Sequence, residues 1–140
     1  MAVSSLAYWK KKLFLSAAER SFYEILRRIA PDYTVFAKVR LSDLIFASTG
    51  GAIGGANHKG IQSKHLDFLI CDATLAPVIA VELDDCSHEP TDRKTCDQIV
   101  DAALAAARVP IVHIPIARLY VLDQIRRLVS PHLHGLGPAC

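Results

Sequence analysis

Two short apolar runs that carry acidic residues, at 66–71 and 78–85, constrain most strongly how this chain folds. Both are rich in β-branched and aliphatic residues, which predicts two strands, and residues 72–77 supply the turn between them. A hairpin with loop residues 73–76 sets the following pairs opposite each other: Cys71 and Val78, Leu69 and Ala80, Asp67 and Glu82. Opposed residues point to the same face of a sheet, with Cβ atoms about 5 Å apart.

The opposition of Asp67 and Glu82 brings two carboxylates together on a sheet whose other residues are mostly hydrophobic. Such a pair repels and loses hydration, so it needs a shared proton, a cationic partner or a metal ion. Mg²⁺ accepts one or two carboxylates and takes its other ligands from water and phosphate oxygens. The alternative is a structural ion pair with Lys64, Arg40 or His88.

The chain of 140 residues is expected to form a single domain over 1–140, with its core at 13–115 and a flexible tail at 131–140. No apolar run approaches the length that spans a bilayer, and lysines 10–12 follow the first apolar residues instead of preceding them as in a signal peptide. We therefore expect a cytoplasmic protein without a membrane partner. The net charge of +2 does not by itself indicate a nucleic-acid partner.

The remaining pattern places helices on both sides of these strands. Ser16 and Glu19 have the spacing of a capping box, which predicts a helix to about Ala30. Further elements are predicted as a strand at 34–41, a mobile glycine-rich loop at 48–63, a helix to about residue 108, a strand at 111–114 and a helix at 118–129. This order predicts an α/β fold with one mixed sheet flanked by helices.

Four further residues are candidates for a site around the acid pair. Asp84 shares the face of Glu82, as a further ligand or as a partner that orients a basic group. His88 follows the strand end, where it suits a proton donor to a leaving oxygen, and Lys64 precedes the first strand of the hairpin, where it suits a phosphate or a water nucleophile. Glu19 either extends the acidic cluster or serves only the capping box.

A zinc site is a separate interpretation of the same region. Cys86, His88 and Cys96 are metal-ligating residue types, although their spacing is not that of a usual finger or ribbon. This interpretation makes the chain a structural zinc protein.

Four segments together resemble the PD-(D/E)XK nuclease-like superfamily, and most closely a bacterial domain of unknown function within it. They are LSAAERSFY at 15–23, VRLSDL at 39–44, KHLDF at 64–68 and VELDDCSH at 81–88. The last segment is also similar to the strand-end motif of very-short-patch-repair-type endonucleases. The resemblance covers about residues 13–115.

The resemblance implies a restriction-endonuclease-like fold, with a mixed four-stranded sheet flanked by helices. It also implies that Asp67 and Glu82 bind Mg²⁺ or Mn²⁺, that Glu19 is an accessory acid at the metal, and that the module cleaves DNA phosphodiesters as an endonuclease or nickase. The superfamily usually has a lysine two residues after the glutamate, and this chain has Asp84 there.

The missing lysine leaves two alternatives open. Either another base replaces it, from among Lys64, Lys94 and His88, or the chain is a catalytically silent module that binds nucleic acid or a partner protein.

Overall fold

The computed structural model describes residues 6–46, 61–84 and 91–133, with the backbone alone for 91–97. Its elements are α1 (Ala17–Ile29), β1 (Thr34–Arg40), α2 (Leu41–Leu44), β2 (His65–Cys71), β3 (Pro77–Asp84), α3 (Thr91–Ala106), β4 (Ile111–Pro115) and α4 (Leu122–Leu133). The strands form one sheet in the order β1-β2-β3-β4, antiparallel except for the parallel pair β3 and β4. This confirms the α/β fold with a mixed four-stranded sheet flanked by helices. In the described part of the chain, no helix is long and apolar enough to cross a membrane.

Apolar layers cover both faces of the sheet. Phe22 of α1 and Val129 of α4 are fully buried in a cluster that includes Val81 of the sheet. A second cluster contains Leu104 of α3 and the neighbouring residue Ala80. Because consecutive strand residues point to opposite faces, the two clusters lie on opposite sides of the sheet.

Helix α1 begins where the capping box predicts. The Ser16 hydroxyl accepts a hydrogen bond from the Glu19 backbone N–H at 3.2 Å, and the Glu19 carboxylate accepts one from the Ser16 N–H at 2.9 Å. These reciprocal bonds satisfy two N–H groups that the first turn of a helix leaves without intrahelical partners.

The hairpin register agrees with the prediction in its interior and differs at the turn. Leu69 opposes Ala80, as predicted, but Cys71 opposes Pro77 and not Val78. The predicted pairing of Cys71 was wrong because the register shifts just before it, in the manner of a β-bulge.

The Asp72 side chain organises the turn between β2 and β3. One carboxylate oxygen accepts hydrogen bonds from the Thr74 N–H at 2.8 Å, the Thr74 hydroxyl at 2.6 Å and the Ala76 N–H at 3.0 Å. These bonds to the ionised form lower the pKa of Asp72. They also support the left-handed conformation of Leu75, whose φ is 65°.

Two segments differ from the sequence predictions near the glycine-rich loop. The strand predicted to reach Leu41 ends at Arg40, and the chain continues as the short helix α2, where Leu41 is buried. Residues 61–62 are helical, and Ile61 is 5% exposed. The predicted loop was therefore wrong at its end, and its part at 48–60 lies outside the described residues.

The last helix is shifted along the chain. It begins at Leu122 and continues through Pro131 to Leu133, so residues 131–133 are not part of a tail. Leu133 is buried, and its carbonyl accepts a hydrogen bond from the Tyr33 hydroxyl. These contacts offset the backbone hydrogen bond that a proline removes from a helix. The rest of the predicted tail, 134–140, lies outside the described residues.

We predict that the central aromatic contact dominates the stability of the fold. Phe68 is fully buried, and its ring centroid lies 5.6 Å from that of Phe22. Phe68→Ala should lower the free energy of unfolding by about 3–5 kcal/mol, measured by urea denaturation. Phe36→Ala on the edge strand, where the side chain is 40% exposed, is the matched control and should cost about 1 kcal/mol or less. Equal losses would contradict this account of the core.

Candidate functional site

The two acidic residues predicted to oppose each other lie on adjacent strands at one end of the sheet. Asp67 is near the start of β2, and Glu82 is near the end of the antiparallel strand β3. Phe68 pairs with Val81, so continuing the register by one residue places Asp67 opposite Glu82. The two side chains therefore project from the same face of the sheet.

The Asp67 and Glu82 side chains interact directly. One carboxylate oxygen of Asp67 accepts a hydrogen bond from the Leu83 N–H at 2.8 Å. Burial of Glu82, its hydrogen bond to the Asp67 side chain and the charge of Asp67, with a smaller effect of Asp84, raise the pKa of Glu82 to about 9. Without a cation, the pair therefore holds a proton at neutral pH.

A histidine that the sequence analysis missed lies next to this pair. His113 is the register partner of Glu82 on the parallel strand β4. Its Nδ1 lies 2.9 Å from a carboxylate oxygen of Asp84, and its Nε2 lies 3.0 Å from one of Asp101 on α3. Burial lowers the pKa of His113, but the hydrogen bonds and charges of the two carboxylates outweigh it, so the pKa is raised.

Both ring nitrogens of His113 are thus engaged by carboxylates. A protonated imidazole donates from both nitrogens, so this arrangement stabilises the imidazolium and holds its plane in place. The charge of His113 lies one strand away from Glu82, about 5 Å between backbones. The arrangement can fix a positive charge beside the acid pair.

Glu19, which the resemblance implies as an accessory acid, is engaged at the start of α1. In addition to the capping contact with Ser16, one of its carboxylate oxygens lies 3.8 Å from the Lys38 ammonium group on β1. Its side chain is 29% exposed. These contacts account for the local role of Glu19, and its role at a metal stays a prediction.

The other predicted residues have different outcomes. Lys64 directly precedes β2, where its carbonyl accepts a hydrogen bond from the Leu41 N–H at 2.9 Å. His88 and Cys86 lie outside the described residues, as does the side chain of Cys96. The roles proposed for these residues, including the zinc interpretation, stay predictions.

The donor set suits a metal held by few protein ligands. Among the described side chains, no group of three or more His, Cys, Asp and Glu residues is arranged to hold a metal ion, so Glu19 does not join Asp67 and Glu82 in such a group. Two adjacent carboxylates remain, which fit a hard divalent cation that keeps several waters and completes its ligands from a substrate.

We predict that the proton held by Glu82 makes stability depend on pH. The unfolded glutamate loses its proton near pH 4.5, whereas the folded one keeps it to about pH 9. Between these values the folded state binds the extra proton, so the free energy of unfolding should fall as pH rises, by up to about 1.4 kcal/mol per unit.

Urea denaturation of the wild type and Glu82→Gln at several pH values tests this prediction. The difference between their stabilities should change with pH, whereas the exposed control Glu24→Gln should run parallel to the wild type. Parallel curves for Glu82→Gln and the wild type would show that Glu82 titrates normally.

Comparison with known proteins yields one match. No curated protein and no solved structure is similar enough to the chain to count as a match. The model of a family described as "Protein of unknown function (DUF2726)" matches residues 10–132. Because that match spans most of the chain, the protein belongs to the DUF2726 family.

Proposed function

We propose that this protein is a divalent-metal-dependent DNA phosphodiester hydrolase module, acting as an endonuclease or nickase. The observation that carries the proposal is the opposition of Asp67 and Glu82 in a mostly apolar sheet, with the pKa of Glu82 raised to about 9. A carboxylate pair of this kind is a strong site for a cation because the cation replaces the proton and removes the repulsion.

Asp67 and Glu82 would hold Mg²⁺ or Mn²⁺ at this position. When bound, such an ion lowers the pKa of a coordinated water and neutralises charge on a phosphate oxygen. The protein's own contribution begins with Asp67, whose hydrogen bond from the Leu83 N–H at 2.8 Å fixes one carboxylate oxygen. Its orientation is then set before any ligand binds.

His113 supports the proposal as a positioning residue. Asp84 and Asp101 hold its imidazolium one strand away from Glu82. A fixed positive charge there favours the ionised form of Glu82, which is the form that binds a cation. In this proposal His113 offsets the missing lysine without touching the substrate.

The remaining predicted residues complete the proposal. In this proposal Glu19 is an accessory acid at the start of α1, where its carboxylate lies 3.8 Å from the Lys38 ammonium group. Lys64 positions a phosphate at the start of β2, and His88 delivers a proton to the leaving oxygen. Asp84 acts by orienting His113, at 2.9 Å. The choice of DNA rests on the resemblance of residues 81–88 to very-short-patch-repair-type endonucleases, and a cytoplasmic location is expected with it.

A catalytically silent module that binds nucleic acid or a partner protein is the second candidate function. It is favoured by the carboxylate of Asp84 at the position of the usual lysine. The two candidates differ in whether a bound phosphodiester is cleaved when metal is present.

We predict that Mn²⁺ binds to the acid pair without any substrate. Isothermal titration should give saturable binding to the wild type and at least a tenfold loss of affinity for Glu82→Gln, because the amide cannot supply the second negative charge. Glu24→Gln removes the same charge from an exposed position on α1 and should leave the affinity unchanged. The metal proposal fails if Glu82→Gln binds Mn²⁺ as well as the wild type does.

We also predict metal-dependent DNA cleavage, and its rate in variants should distinguish the proposed metal ligands from the positioning residue His113. On a panel of single-stranded, nicked and duplex DNA with Mn²⁺, Asp67→Asn and Glu82→Gln should lose activity by at least about 100-fold. His113→Gln should lower kcat and shift its pH profile, with a smaller change in Mn²⁺ affinity. Saturable DNA binding with no cleavage of any form would favour the silent module instead.

A further inference from the structure

The segment before α1 exposes an unusual density of aromatic and aliphatic side chains. We call residues 6–14 the N-terminal arm. Its large exposed hydrophobic residues are Leu6 at 68%, Tyr8 at 83%, Trp9 at 85%, Leu13 at 61% and Phe14 at 69% exposure. Between them lie three consecutive exposed lysines, at 10–12. Isolated exposed hydrophobic residues are ordinary, but a contiguous set marks an interaction surface.

Lys38 of β1 contacts the end of the arm. The Lys38 ammonium group donates a hydrogen bond to the Phe14 carbonyl at 2.7 Å and lies 4.8 Å from the centre of the Phe14 ring. The same group lies 3.8 Å from a carboxylate oxygen of Glu19. Lys38 itself has a φ of 55°, a conformation that a non-glycine residue adopts only when its surroundings support it.

The position of Lys38 connects the arm to the acid pair. Ala37 pairs with Phe68 and Val39 pairs with Leu66, so Lys38 occupies the position of β1 opposite Asp67. The arm therefore leaves the fold at the edge strand, level with Asp67 along the sheet but on the face that α1 covers.

The contacts of the first residues of α1 also show which end of the sheet this helix starts from. Its first residues, Ala17 and Ala18, line a cavity of about 410 Å³ together with Ile116. The Ile116 N–H donates to the Asp84 carbonyl at 2.8 Å. The start of α1 thus lies at the end of the sheet that carries the acids.

We propose that the N-terminal arm binds a single strand of nucleic acid and holds it beside the end of the sheet that carries the acid pair. Exposed aromatic rings stack on unpaired bases of any sequence, and the run of three lysines between Trp9 and Phe14 attracts the phosphates of the same strand. This inference rests on the proposed function for its choice of nucleic acid among polyanions. It adds that the substrate carries an unpaired stretch beside the scissile phosphate.

The backbone of the arm favours this partner over a lipid surface. Residues 6–16 form no helix, so their lysines and aromatic residues are not sorted onto two helical faces. Binding in a membrane interface relies on an amphipathic helix with its apolar face buried among the lipids. An irregular segment with rings on both sides of a run of cations matches an extended polyanion with exposed bases.

The only tryptophan of the chain lies in the arm, which supplies a direct measurement. Excited at 295 nm in EDTA, where no cleavage occurs, Trp9 of the full chain should show saturable quenching on titration with a single-stranded dT20 oligonucleotide. A blunt duplex of the same length should bind at least about fivefold more weakly, since its bases are already stacked. Unchanged emission with dT20, or a blue shift with anionic phosphatidylserine vesicles alone, would overturn the proposal.

Paired variants separate the arm from general charge attraction, with labelled dT20 and fluorescence anisotropy as the readout. Lys11→Ala/Lys12→Ala should weaken binding at least tenfold and reduce the salt slope by about 1.4, at about 0.7 for each lost phosphate contact. The control Arg28→Ala/Arg127→Ala removes the same charge from exposed positions on α1 and α4 and should stay within twofold of the wild type. Equal losses in both would overturn the proposal.

Stacking is tested at one residue. Trp9→Phe keeps a flat ring and should retain most of the affinity, whereas Trp9→Leu keeps apolar bulk alone and should lose about tenfold. Equal affinity of these two variants would contradict stacking.

Failure of the arm and failure of the proposed function give different results. Glu82→Gln should bind dT20 in EDTA as the wild type does while losing Mn²⁺ binding. If the Lys11→Ala/Lys12→Ala variant binds dT20 and cleaves with wild-type constants, the arm proposal fails while the proposed function stands. If dT20 binds as expected but no substrate is cleaved with Mn²⁺, the hydrolase fails and the arm stands.

Discussion

The antiparallel pairing of β2 with β3 in one register is the constraint on which the rest of the structure depends. Phe68 and Val81 pair and are fully buried against α1 and α4, so their neighbours Asp67 and Glu82 must project from the opposite face. A slip of one strand by a single residue would exchange the two faces and bury an acid among aromatic rings. The apolar core and the acid pair are therefore specified by the same hydrogen bonds, which the hydrogen-bonded turn at Asp72 helps to hold.

Much of this arrangement could be predicted from the sequence because the interactions that create it are local. The strands have a short connection, and a two-residue period assigns every side chain to a face once the turn is placed. The capping box at Ser16 and Glu19 involves residues three apart, so the start of α1 is equally readable. The one register error, at Cys71, arose because a β-bulge beside the turn leaves the hydrophobic pattern almost unchanged.

The parts that could not be predicted depend on contacts between distant segments. His113 pairs with Glu82 only through the parallel alignment of β4 with β3, which a connection through α3 allows in more than one register. Asp101 reaches the same ring from the helix that makes this connection. A histidine inside an apolar strand was nevertheless a sign that a polar partner was needed. Likewise, α4 continues past Pro131 because Leu133 is buried against the core and its carbonyl accepts a hydrogen bond from the distant Tyr33 hydroxyl.

The fold does not need the acid pair for its stability. The two apolar clusters cover both faces of the sheet, and replacing a buried charged pair by well-packed apolar residues is often neutral or stabilising. With the pKa of Glu82 raised to about 9, the pair opposes folding throughout the neutral range. The adjacent imidazolium of His113 is already shared by Asp84 and Asp101, so it does not fully neutralise Asp67 and Glu82 as well. A divalent cation would supply the missing charge and remove the repulsion. The free energy that the acid pair costs on folding would then contribute to the affinity for the cation.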